Sequence, residues 1–307
     1  MDYKKIIKSR KTRLKILELL GFIPDKYMIQ FQYRVKTGRR LNLKHPQRYT
    51  EKIQWYKINY RNNLMIKCVD KYDVREYVKS KGVEEILLPC YGVYDSFEDI
   101  DWDRLPNQFV MKDTLGGGGV SIEIVKDKNK EDRNKLRKIG NNWTEKKAHI
   151  RNGGREWPYY SGKKHRIIIE KFIDADSTKG GLIDYKFLCF NGKAELLYIL
   201  SDRITGKGAE CGFFDLNFNQ LRVSESDEPP LKRKIKKPDN YKKMVQIAEI
   251  LAADFPCARI DLYNQNGQII FGEITFFDSS GYMIFDPDDF DFKLGEKFIL
   301  PPKTMKL

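Results

Sequence analysis

Residues 258–275 read ARIDLYNQNGQIIFGEIT and carry the strongest structural signal in the chain. Two β-rich segments, Arg259–Tyr263 and Gln268–Thr275, flank the turn Asn264-Gln265-Asn266-Gly267. An Asn-Gly pair between alternating apolar residues is a strong signal for a β-hairpin. We therefore expect the two segments to pair as antiparallel strands.

The same hairpin carries two carboxylates and an arginine. Asp261 and Glu273 are twelve residues apart on adjacent strands, which can bring both carboxylates to one face. Such oxygen ligands suit Mg²⁺, which usually also recruits phosphate oxygens and water. Arg259 lies two residues before Asp261 and shares its face, where a guanidinium can stabilise charge on a transferring group. An ion-pair network on a solvated strand face is the alternative interpretation.

A second pattern, FVMKDTLGGGGVS at residues 109–121, ends a strand in a lysine and continues through four glycines. Glycines let the backbone approach phosphate oxygens and expose amide donors, while Lys112 supplies positive charge. The stretch is neither a Walker A loop nor a dinucleotide fingerprint, because no Gly-Lys-Ser/Thr follows and no helix opens there. It has the form of a flap over a nucleotide, although a merely flexible hairpin has the same pattern.

A third pattern is the apolar segment Ile167–Ile173, which contains Glu170. It resembles a hinge whose backbone reads an adenine edge. A core strand is the default interpretation of the same residues.

The first part of the chain is predicted to be helical and β-rich segments follow it, without an internal repeat. Helices are expected at Tyr3–Leu20, Asp25–Val35, after Thr50 as N-cap, and at Lys71–Lys79, Asp132–Trp143 and Asp239–Asp254. Further strands are expected at Glu85–Tyr91, Gln108–Lys112, Ser121–Val125, His165–Ile173, Asp184–Phe190 and Ala194–Ser201. This order indicates a mixed α+β fold with antiparallel sheets rather than a doubly wound parallel sheet.

Positive charge is concentrated near the start of the chain. The 307 residues include 57 Lys and Arg against 43 Asp and Glu, a net charge of +14, and Met1–Lys44 holds +10 of it. Apolar residues recur at helical spacing in 3–20, so this basic helix is compatible with an anionic membrane or an acidic polymer. A solvated face of a packed helix is the simpler interpretation. Neither this segment nor Lys232–Lys237 interleaves aromatics as nucleic-acid readers do, so nucleic acid is a minor hypothesis.

Composition disfavours several other classes of function. No apolar run approaches the roughly 20 residues of a membrane span, and the first residues lack the pattern of a secretory signal. Five cysteines and three histidines are scattered without a CxxC pair, which leaves too few ligands for zinc. We expect a cytoplasmic protein with reduced thiols, and neither a cysteine nucleophile nor a Ser-His-Asp triad is favoured.

Taken together, the glycine-rich loop, the segment Ile167–Ile173 and the hairpin resemble the ATP-grasp superfamily. The resemblance extends from about Leu64 to Gly295. The resemblance implies an ATP-grasp fold, in which two α+β lobes with antiparallel sheets clamp ATP, preceded here by a basic helical N-terminal region. It implies ATP and Mg²⁺ as cofactors. It also implies a reaction that joins a carboxylate to an amine through an acylphosphate.

The resemblance also implies roles for individual residues. Mg²⁺ would be held by Asp261, Glu273 and Thr275, where Thr275 replaces the Asn of many members. Arg259 and Lys112 would act in catalysis. ATP would contact Lys71, Lys112, Gly116, Gly117, Gly118, Gly119, Glu170, Lys171, Phe172, Ile173, Asp184 and Lys186. In this set Lys71 and Lys112 would contact the phosphates, and the glycine loop would cover them. The backbone at Glu170 and Ile173 would read the adenine, and Asp184 would suit the ribose.

A narrower resemblance points to the teichuronopeptide-biosynthesis (TupA-like) branch. It is carried by Asp70–Val78, Pro89–Tyr94, Asp184–Gly192, Arg259–Tyr263 and Phe271–Phe276. That branch is associated with capsular and other cell-surface polysaccharides, and its proposed role is amide formation on uronic acids. The implied partners are an anionic sugar nucleotide or a polysaccharide uronic acid, and an amino acid or small amine. Arg203, Ser279, Ser280 and Gly281 are the candidate substrate residues. The chain departs from the branch at Asp113, Leu115 and Asp278–Gly281, so the identity of the substrate does not transfer.

The resemblance divides the chain into four parts. These are a basic helical region at 1–66, a pre-ATP segment at 67–106, a lobe with the glycine-rich flap at 107–175, and a lobe with the metal and acceptor site at 176–307. A kinase of similar architecture would use the same phosphate clamp on a sugar or lipid hydroxyl. A glycosyltransferase would use the metal but leave Lys112 and Glu170 unexplained. A non-catalytic module that binds anionic polymer or membrane would tolerate Asp261→Asn.

Overall fold

The computed structural model describes residues 9–117, 121–174, 181–201 and 209–304. The chain forms two compact units. One comprises Met1–Asn62, Arg151–Trp157 and Thr178–Leu307, and we call it the hairpin unit. The other comprises Asn63–Ile150 and Pro158–Ser177, and we call it the glycine-loop unit.

Helices dominate the first part of the described chain and strands the rest. The helices are α1 (Arg10–Leu19), α2 (Asp25–Thr37), α3 (Tyr49–Asn59), α4 (Asn63–Cys68), α5 (Val74–Ser80), α6 (Arg133–Thr144), α7 (Tyr241–Ala252) and α8 (Asp289–Lys297). The strands are β1 (Cys90–Tyr94), β2 (Phe109–Asp113), β3 (Ile122–Val125), β4 (Ile167–Lys171), β5 (Asp184–Phe190), β6 (Lys193–Ser201), β7 (Glu210–Phe214), β8 (Ser224–Glu225), β9 (Cys257–Gln265), β10 (Gln268–Thr275) and β11 (Phe285–Asp286). None of these helices combines the length and apolarity that a membrane span requires.

The glycine-loop unit contains a four-stranded antiparallel sheet in the order β1-β4-β2-β3. The apolar run in β4 lies at an inner position of the sheet and is buried, as a continuous run of isoleucines predicts. One face of the sheet packs Phe109 and Met111 against Leu136 and Trp143 of α6. Because side chains alternate along a strand, Lys112 of β2 belongs to the opposite face.

The hairpin unit contains a five-stranded antiparallel sheet in the order β10-β9-β5-β6-β7. Helix α7 covers one face with its buried residues Met244, Ile247 and Leu251, which recur at helical spacing. Because side chains alternate along a strand, every second residue of β5 and β9 belongs to the face opposite α7. That face carries the polar side chains. These are Asp184, Lys186, Arg259 and Asp261.

Helix α3 packs on the same face of the sheet as these polar residues, at the end of β5 where the apolar Phe190 lies. The Tyr49 ring lies 5.7 Å from Phe190, and the Tyr56 ring lies 5.7 Å from both Phe277 and Phe298. Thr50 is not the N-cap of this helix, so that expectation was wrong: α3 begins at Tyr49, and the Thr50 side chain donates to Asp291 of α8 over 2.8 Å. Long-range packing of a buried Asp recruited this hydroxyl, which the local pattern could not reveal.

The fold class and the hairpin were predicted correctly. Asn266 and Gly267 have φ of 51° and 84°, as the mirror-image turn of a two-residue hairpin requires. The strand expected at Glu85–Tyr91 was wrong, since a 3₁₀ turn occupies Glu84–Ile86 and β1 begins at Cys90. Helix α8 was missed because its sequence DFDFKLGEK alternates like a strand. Of the helix expected from Tyr3, residues 10–19 are helical and 3–8 lie outside the described residues.

Candidate functional site

The hairpin brings the two expected carboxylates directly opposite each other. Asp261 on β9 pairs with Glu273 on β10, and Arg259 pairs with Thr275. The register shifts by one residue between Phe271 and Glu273, where Gly272 forms a β-bulge. Without this bulge Glu273 would face Ile260 and belong to the other side of the sheet. The bulge therefore assembles the site.

Three oxygen atoms converge on one nitrogen of Arg259. Its Nη2 lies 2.8 Å from Oδ2 of Asp261, 2.9 Å from Oε1 of Glu273 and 3.0 Å from Oγ1 of Thr275. The Nε atom adds a second bond of 2.7 Å to Asp261, so that pair is bidentate. The three side chains expected to hold Mg²⁺ thus converge on a single position. The Nη2 atom of Arg259 occupies that position.

Further charged side chains surround this point. Lys186 forms an ion pair with Asp184 over 2.8 Å and another with Asp261. Arg259 Nη1 reaches Oδ1 of Asp278 over 2.5 Å. We refer to Asp184, Lys186, Arg259, Asp261, Glu273 and Asp278 as the carboxylate cluster. It holds four acids and two cations, a formal charge of −2 among these six described side chains.

Burial shifts the proton affinities in the cluster. The side chains of Asp184, Lys186, Asp261 and Asp278 are nearly fully buried, whereas that of Glu273 is 44% exposed. Desolvation raises the pKa of Asp261 to about 6, because burial and the neighbouring carboxylates of Asp184 and Glu273 outweigh Arg259 and Lys186. Burial lowers the pKa of Arg259, but Asp261, Tyr198 and Asp278 reverse this and hold it well above its usual value. Such perturbed groups are typical of functional sites.

The donor set and the charge of the cluster fit Mg²⁺. Asp261, Glu273 and Thr275 supply hard oxygen donors, and a divalent cation would neutralise the excess of two negative charges. Within the described part of the chain, no group of three or more His, Cys, Asp or Glu side chains forms a ready-made metal cage. Mg²⁺ usually binds through one or two carboxylates and takes its other ligands from phosphate and water.

Sequence reasoning missed two members of this site. Tyr198 on β6 lies 3.1 Å from Arg259 Nη1, and its hydroxyl donates to Asp278 Oδ1 over 2.8 Å. Asp278 follows Thr275 by three residues and was noted only as part of a divergent segment. Nothing local marks Tyr198, because strand pairing alone brings it to the site.

The segment Ser279–Gly281, expected near the acceptor, is tied to helix α3. All three residues have positive φ, between 44° and 65°. The Ser280 carbonyl accepts from Gln54 Nε2 over 2.9 Å and from Lys57 Nζ over 2.7 Å. The Ser280 hydroxyl donates to Glu156. The donors on α3 keep this segment in one conformation. Strained backbone that is held in this way occurs at functional sites.

In the glycine-loop unit, Lys112 and Glu170 form a second group. Lys112 Nζ lies 2.9 Å from one Glu170 oxygen, and Arg75 reaches the other over 3.2 Å. Arg75 was not expected at this position. Lys71 donates to the carbonyl of Gly116 at the glycine loop, and its backbone N–H donates to Thr114 over 2.9 Å. The structure therefore brings Lys71, Lys112 and the start of the glycine loop into one unit.

A buried carboxylate anchors the start of the glycine loop. Asp113 is fully buried and accepts from Lys146 over 2.7 Å, and His165 Nδ1 lies 2.8 Å from its Oδ1. The same Oδ1 accepts from the backbone of Leu115 over 3.0 Å. Burial alone would raise the pKa of Asp113, but the hydrogen bonds from His165 and Lys146 outweigh it and lower that pKa. The Asp113 side chain belongs to the face of the four-stranded sheet opposite to that of Lys112.

The remaining expected residues have simpler surroundings. Glu170 pairs with Cys90 and with Val110, and β4 ends at Lys171, so Phe172 and Ile173 follow the strand rather than extend it. Gly117 is described, whereas Gly118, Gly119 and Arg203 lie outside the described residues.

A family model agrees with these features. The model described as "TupA-like ATPgrasp" matches residues 51–299. Comparison with curated proteins finds no match.

Three solved structures match parts of this chain at low sequence identity. A D-alanine–D-alanine ligase from Bacillus anthracis is 20% identical, with 68% of this chain and 57% of that chain covered and a TM-score of 0.41. The enzyme of the same name from Helicobacter pylori is 15% identical, with 80% and 67% covered and a TM-score of 0.45. An L-amino acid ligase from Bacillus licheniformis is 17% identical, with 71% and 42% covered and a TM-score of 0.38. The chain thus spans a little over half the length of the first of these structures.

Proposed function

The chain belongs to the TupA-like ATP-grasp family, and from this membership we propose that it is a carboxylate–amine ligase that forms an amide through an acylphosphate. ATP and Mg²⁺ are its cofactors. The proposed carboxylate is that of a uronic acid in a sugar nucleotide or a capsular or cell-surface polysaccharide. The proposed amine is an amino acid or a small amine.

One observation supports this proposal more than any other: the convergence of Asp261, Glu273 and Thr275 on Arg259 Nη2. Two carboxylates and a hydroxyl within hydrogen-bond distance of one guanidinium nitrogen keep further lone pairs with which they can hold a cation, while the guanidinium meets a phosphoryl group. The six side chains of the carboxylate cluster carry a formal charge of −2, which a divalent cation would neutralise.

In the proposed reaction, a carboxylate oxygen of the substrate attacks the γ-phosphorus of ATP, and the bond from that phosphorus to ADP breaks. The amine nitrogen then attacks the acyl carbon, phosphate leaves, and the nitrogen loses a proton to water. Phosphorylation is needed because a free carboxylate would have to expel oxide. Mg²⁺, when bound, neutralises charge on the β- and γ-phosphates.

The residues of the hairpin unit have distinct proposed roles. Asp261, Glu273 and Thr275 would hold Mg²⁺. Arg259 is the proposed catalytic group that stabilises charge on the transferring phosphoryl, since its guanidinium is fixed by Asp261 on one side and by Asp278 on the other. Asp184 and Lys186 would contact the nucleotide.

The glycine-loop unit would bind the phosphates and the adenine. Lys71 and Lys112 carry the positive charge, and the loop that begins at Gly116 would cover the phosphates with its amide donors. When a phosphate binds, Lys112 would either leave Glu170 or contact both Glu170 and the phosphate. The backbone from Glu170 to Ile173 would read the adenine edge.

The acceptor side of the proposal rests on two segments. Ser279, Ser280 and Gly281 follow the metal strand and are held by α3, which suits a surface that positions a substrate. Arg203 would pair with an anionic substrate. We also propose a cytoplasmic location with peripheral contact to an anionic membrane, supported by the basic N-terminal residues.

A hydroxylamine trap tests the proposal. The protein, ATP and Mg²⁺ would be incubated with uronic-acid sugar nucleotides or oligosaccharides, and hydroxamate, ADP and phosphate would be measured. We expect hydroxamate with stoichiometric ADP and phosphate, lost in Glu273→Gln and on chelation of Mg²⁺. Glu195→Gln is the matched control, since that partly exposed glutamate pairs only with Lys297 among the described residues. ADP with a phosphorylated sugar and no hydroxamate would identify a kinase instead.

A further inference from the structure

Five large apolar side chains lie exposed within sixteen residues of the N-terminal region. Leu19 is 77% exposed, Phe22 78%, Tyr27 64% and Phe31 61%, and Ile16 is exposed to a lesser degree. Single exposed apolar residues are ordinary, whereas a group of this size marks an interaction surface. We call these five residues the N-terminal apolar patch.

Helical spacing gathers the patch on one side of each helix. Tyr27 and Phe31 are one turn apart on α2, whose opposite side buries Met28, Ile29 and Tyr33. Ile16 and Leu19 have the corresponding spacing on α1, and Phe22 lies in the turn that joins the two helices. The exposed side of α2 is therefore the outward face of a packed helix rather than an unfolded segment.

Two arginines hold the turn that presents Phe22. Arg155, 1% exposed, donates to the carbonyls of Leu20 over 2.7 Å and Ile23 over 2.9 Å. Arg151 donates to the carbonyl of Gly21 over 2.7 Å. A buried arginine that binds successive backbone carbonyls fixes the turn, so Phe22 is exposed by a defined conformation.

The charge around the patch identifies what it meets. Residues 10–40 contain nine Lys and Arg against two acids, and one of those acids, Asp25, is already paired with Arg151 and Arg155. Lys26 and Arg34 are exposed on the same side of α2 as Tyr27 and Phe31. A second copy of the chain would bring two such basic surfaces together, which repel. An anionic lipid surface matches both the charge and the aromatic residues.

We propose that the N-terminal apolar patch docks on an anionic lipid bilayer, with Leu19, Phe22, Tyr27 and Phe31 entering the headgroup boundary and Lys26 and Arg34 meeting lipid headgroups. The inference deepens the peripheral-membrane part of the proposed function by naming the surface that makes the contact. It is independent of the ligase chemistry, because membrane binding requires neither ATP nor a sugar carboxylate.

Sedimentation with vesicles tests the inference. Full-length protein would be mixed with sucrose-loaded vesicles of phosphatidylcholine alone or with 30 mol% phosphatidylglycerol, about the anionic content needed for electrostatic attraction. We expect binding only to the anionic vesicles, weakened by 500 mM NaCl (roughly a 4 Å screening length). Phe22→Ser with Phe31→Ser should lower the partition coefficient about tenfold or more, and Lys26→Glu with Arg34→Glu should abolish binding at low salt.

Ile299→Ser is the matched control, because Ile299 is 70% exposed and lies outside the patch. Each variant would be checked by thermal unfolding and by binding of a fluorescent ATP analogue. Three outcomes would overturn the inference: no sedimentation of the wild type, sedimentation unchanged by the phenylalanine substitutions, or a wild-type dimer in solution that those substitutions dissociate. Any of these leaves the hydroxylamine result untouched.

Discussion

The Nη1 atom of Arg259 lies 2.5 Å from Oδ1 of Asp278, a residue that follows β10 and is almost completely buried. The opposite edge of the same guanidinium is bound by Asp261. Arg259 is thus held between two buried carboxylates, which fixes the plane of its guanidinium. A group that must stabilise a phosphoryl transition state benefits from such orientation, since no reorganisation is then required during the reaction.

The first prediction concerns Asp278 as the residue that positions Arg259. Asp278→Asn removes the charge that holds Nη1, and we expect kcat for ADP release to fall roughly 10- to 100-fold with KM for ATP changed less than about threefold. Tyr198→Phe removes only a hydroxyl from the same group and should lower kcat less than tenfold. Steady-state kinetics of both variants check this. A rise in KM with unchanged kcat would contradict a positioning role.

The second prediction concerns the anchor under the glycine loop. Asp113→Asn leaves Lys146 and His165 without their carboxylate and should destabilise the protein by about 2–4 kcal/mol in urea unfolding. Because hydrogen bonds hold the pKa of Asp113 below its usual value, its contribution is fully present above about pH 4 and is lost as the pH falls through the lowered pKa. The difference between wild type and variant should shrink in acid. Lys146→Met, which removes the more exposed partner, should cost less than about 1 kcal/mol.

The third prediction concerns Lys57, a lysine whose side chain is buried in the hairpin unit. Burial lowers the pKa of Lys57 to about 7, although nearby Glu156 raises it in part. Between pH 7 and 10 the unfolded chain binds this proton and the folded chain does not. Stability should therefore rise with pH in this range, by at most about 1.4 kcal/mol per pH unit from this group.

Unfolding curves of Lys57→Met test that slope. The variant leaves the carbonyl of Gly154 without this donor and should be less stable by about 1–3 kcal/mol at pH 9, with a smaller deficit at pH 6. Lys293→Met, at an exposed lysine, should run parallel to the wild type at every pH. A deficit for Lys57→Met that does not change with pH would disprove the lowered pKa.

The fourth prediction compares two neighbouring glycines. A Cβ at Gly116 would lie 2.5 Å from Cβ of Ser121 and 3.0 Å from Cβ of Asp113, whereas a Cβ at Gly117 would meet no described atom within 4 Å. Gly116→Ala should therefore displace the loop and weaken ATP binding by tenfold or more, roughly the cost of a small steric shift at a binding loop. Gly117→Ala should stay within about twofold. Calorimetric titration with ATP and Mg²⁺ distinguishes the two, and equal affinities would show that the loop does not contact the phosphates through Gly116.

Several elements could be predicted because their determinants are local. The hairpin turn depends on Asn266 and Gly267, and α7 depends on apolar residues one turn apart, so both follow from a short stretch of sequence. The oxygen donors that Asp261 and Glu273 offer follow from residue type alone. By contrast, α8 was missed because its alternation of Asp and Phe indicates a strand, and only packing against α3 makes it a helix.

The partners of these side chains could not be predicted from spacing. Tyr198 reaches Arg259 from two strands away across the sheet, and Arg75 reaches Glu170 from a helix 95 residues earlier. Lys57 binds the strained Ser280 carbonyl from a helix more than 200 residues before it. Each contact depends on which elements lie side by side, and no local pattern encodes that arrangement.

Residue identity alone establishes which groups this protein can use: an arginine and two carboxylates on a hairpin, a lysine before four glycines, and a basic N-terminal region. That the two carboxylates lie on one face of the sheet depends on how the strands pair. An unbroken ladder from the Asn-Gly turn would set Glu273 opposite Ile260, on the far side of the sheet from Asp261. The bulge at Gly272 moves it by one residue. Side-chain identity sets the chemistry, whereas a one-residue register shift, stabilised by packing across strands, sets the face on which it acts.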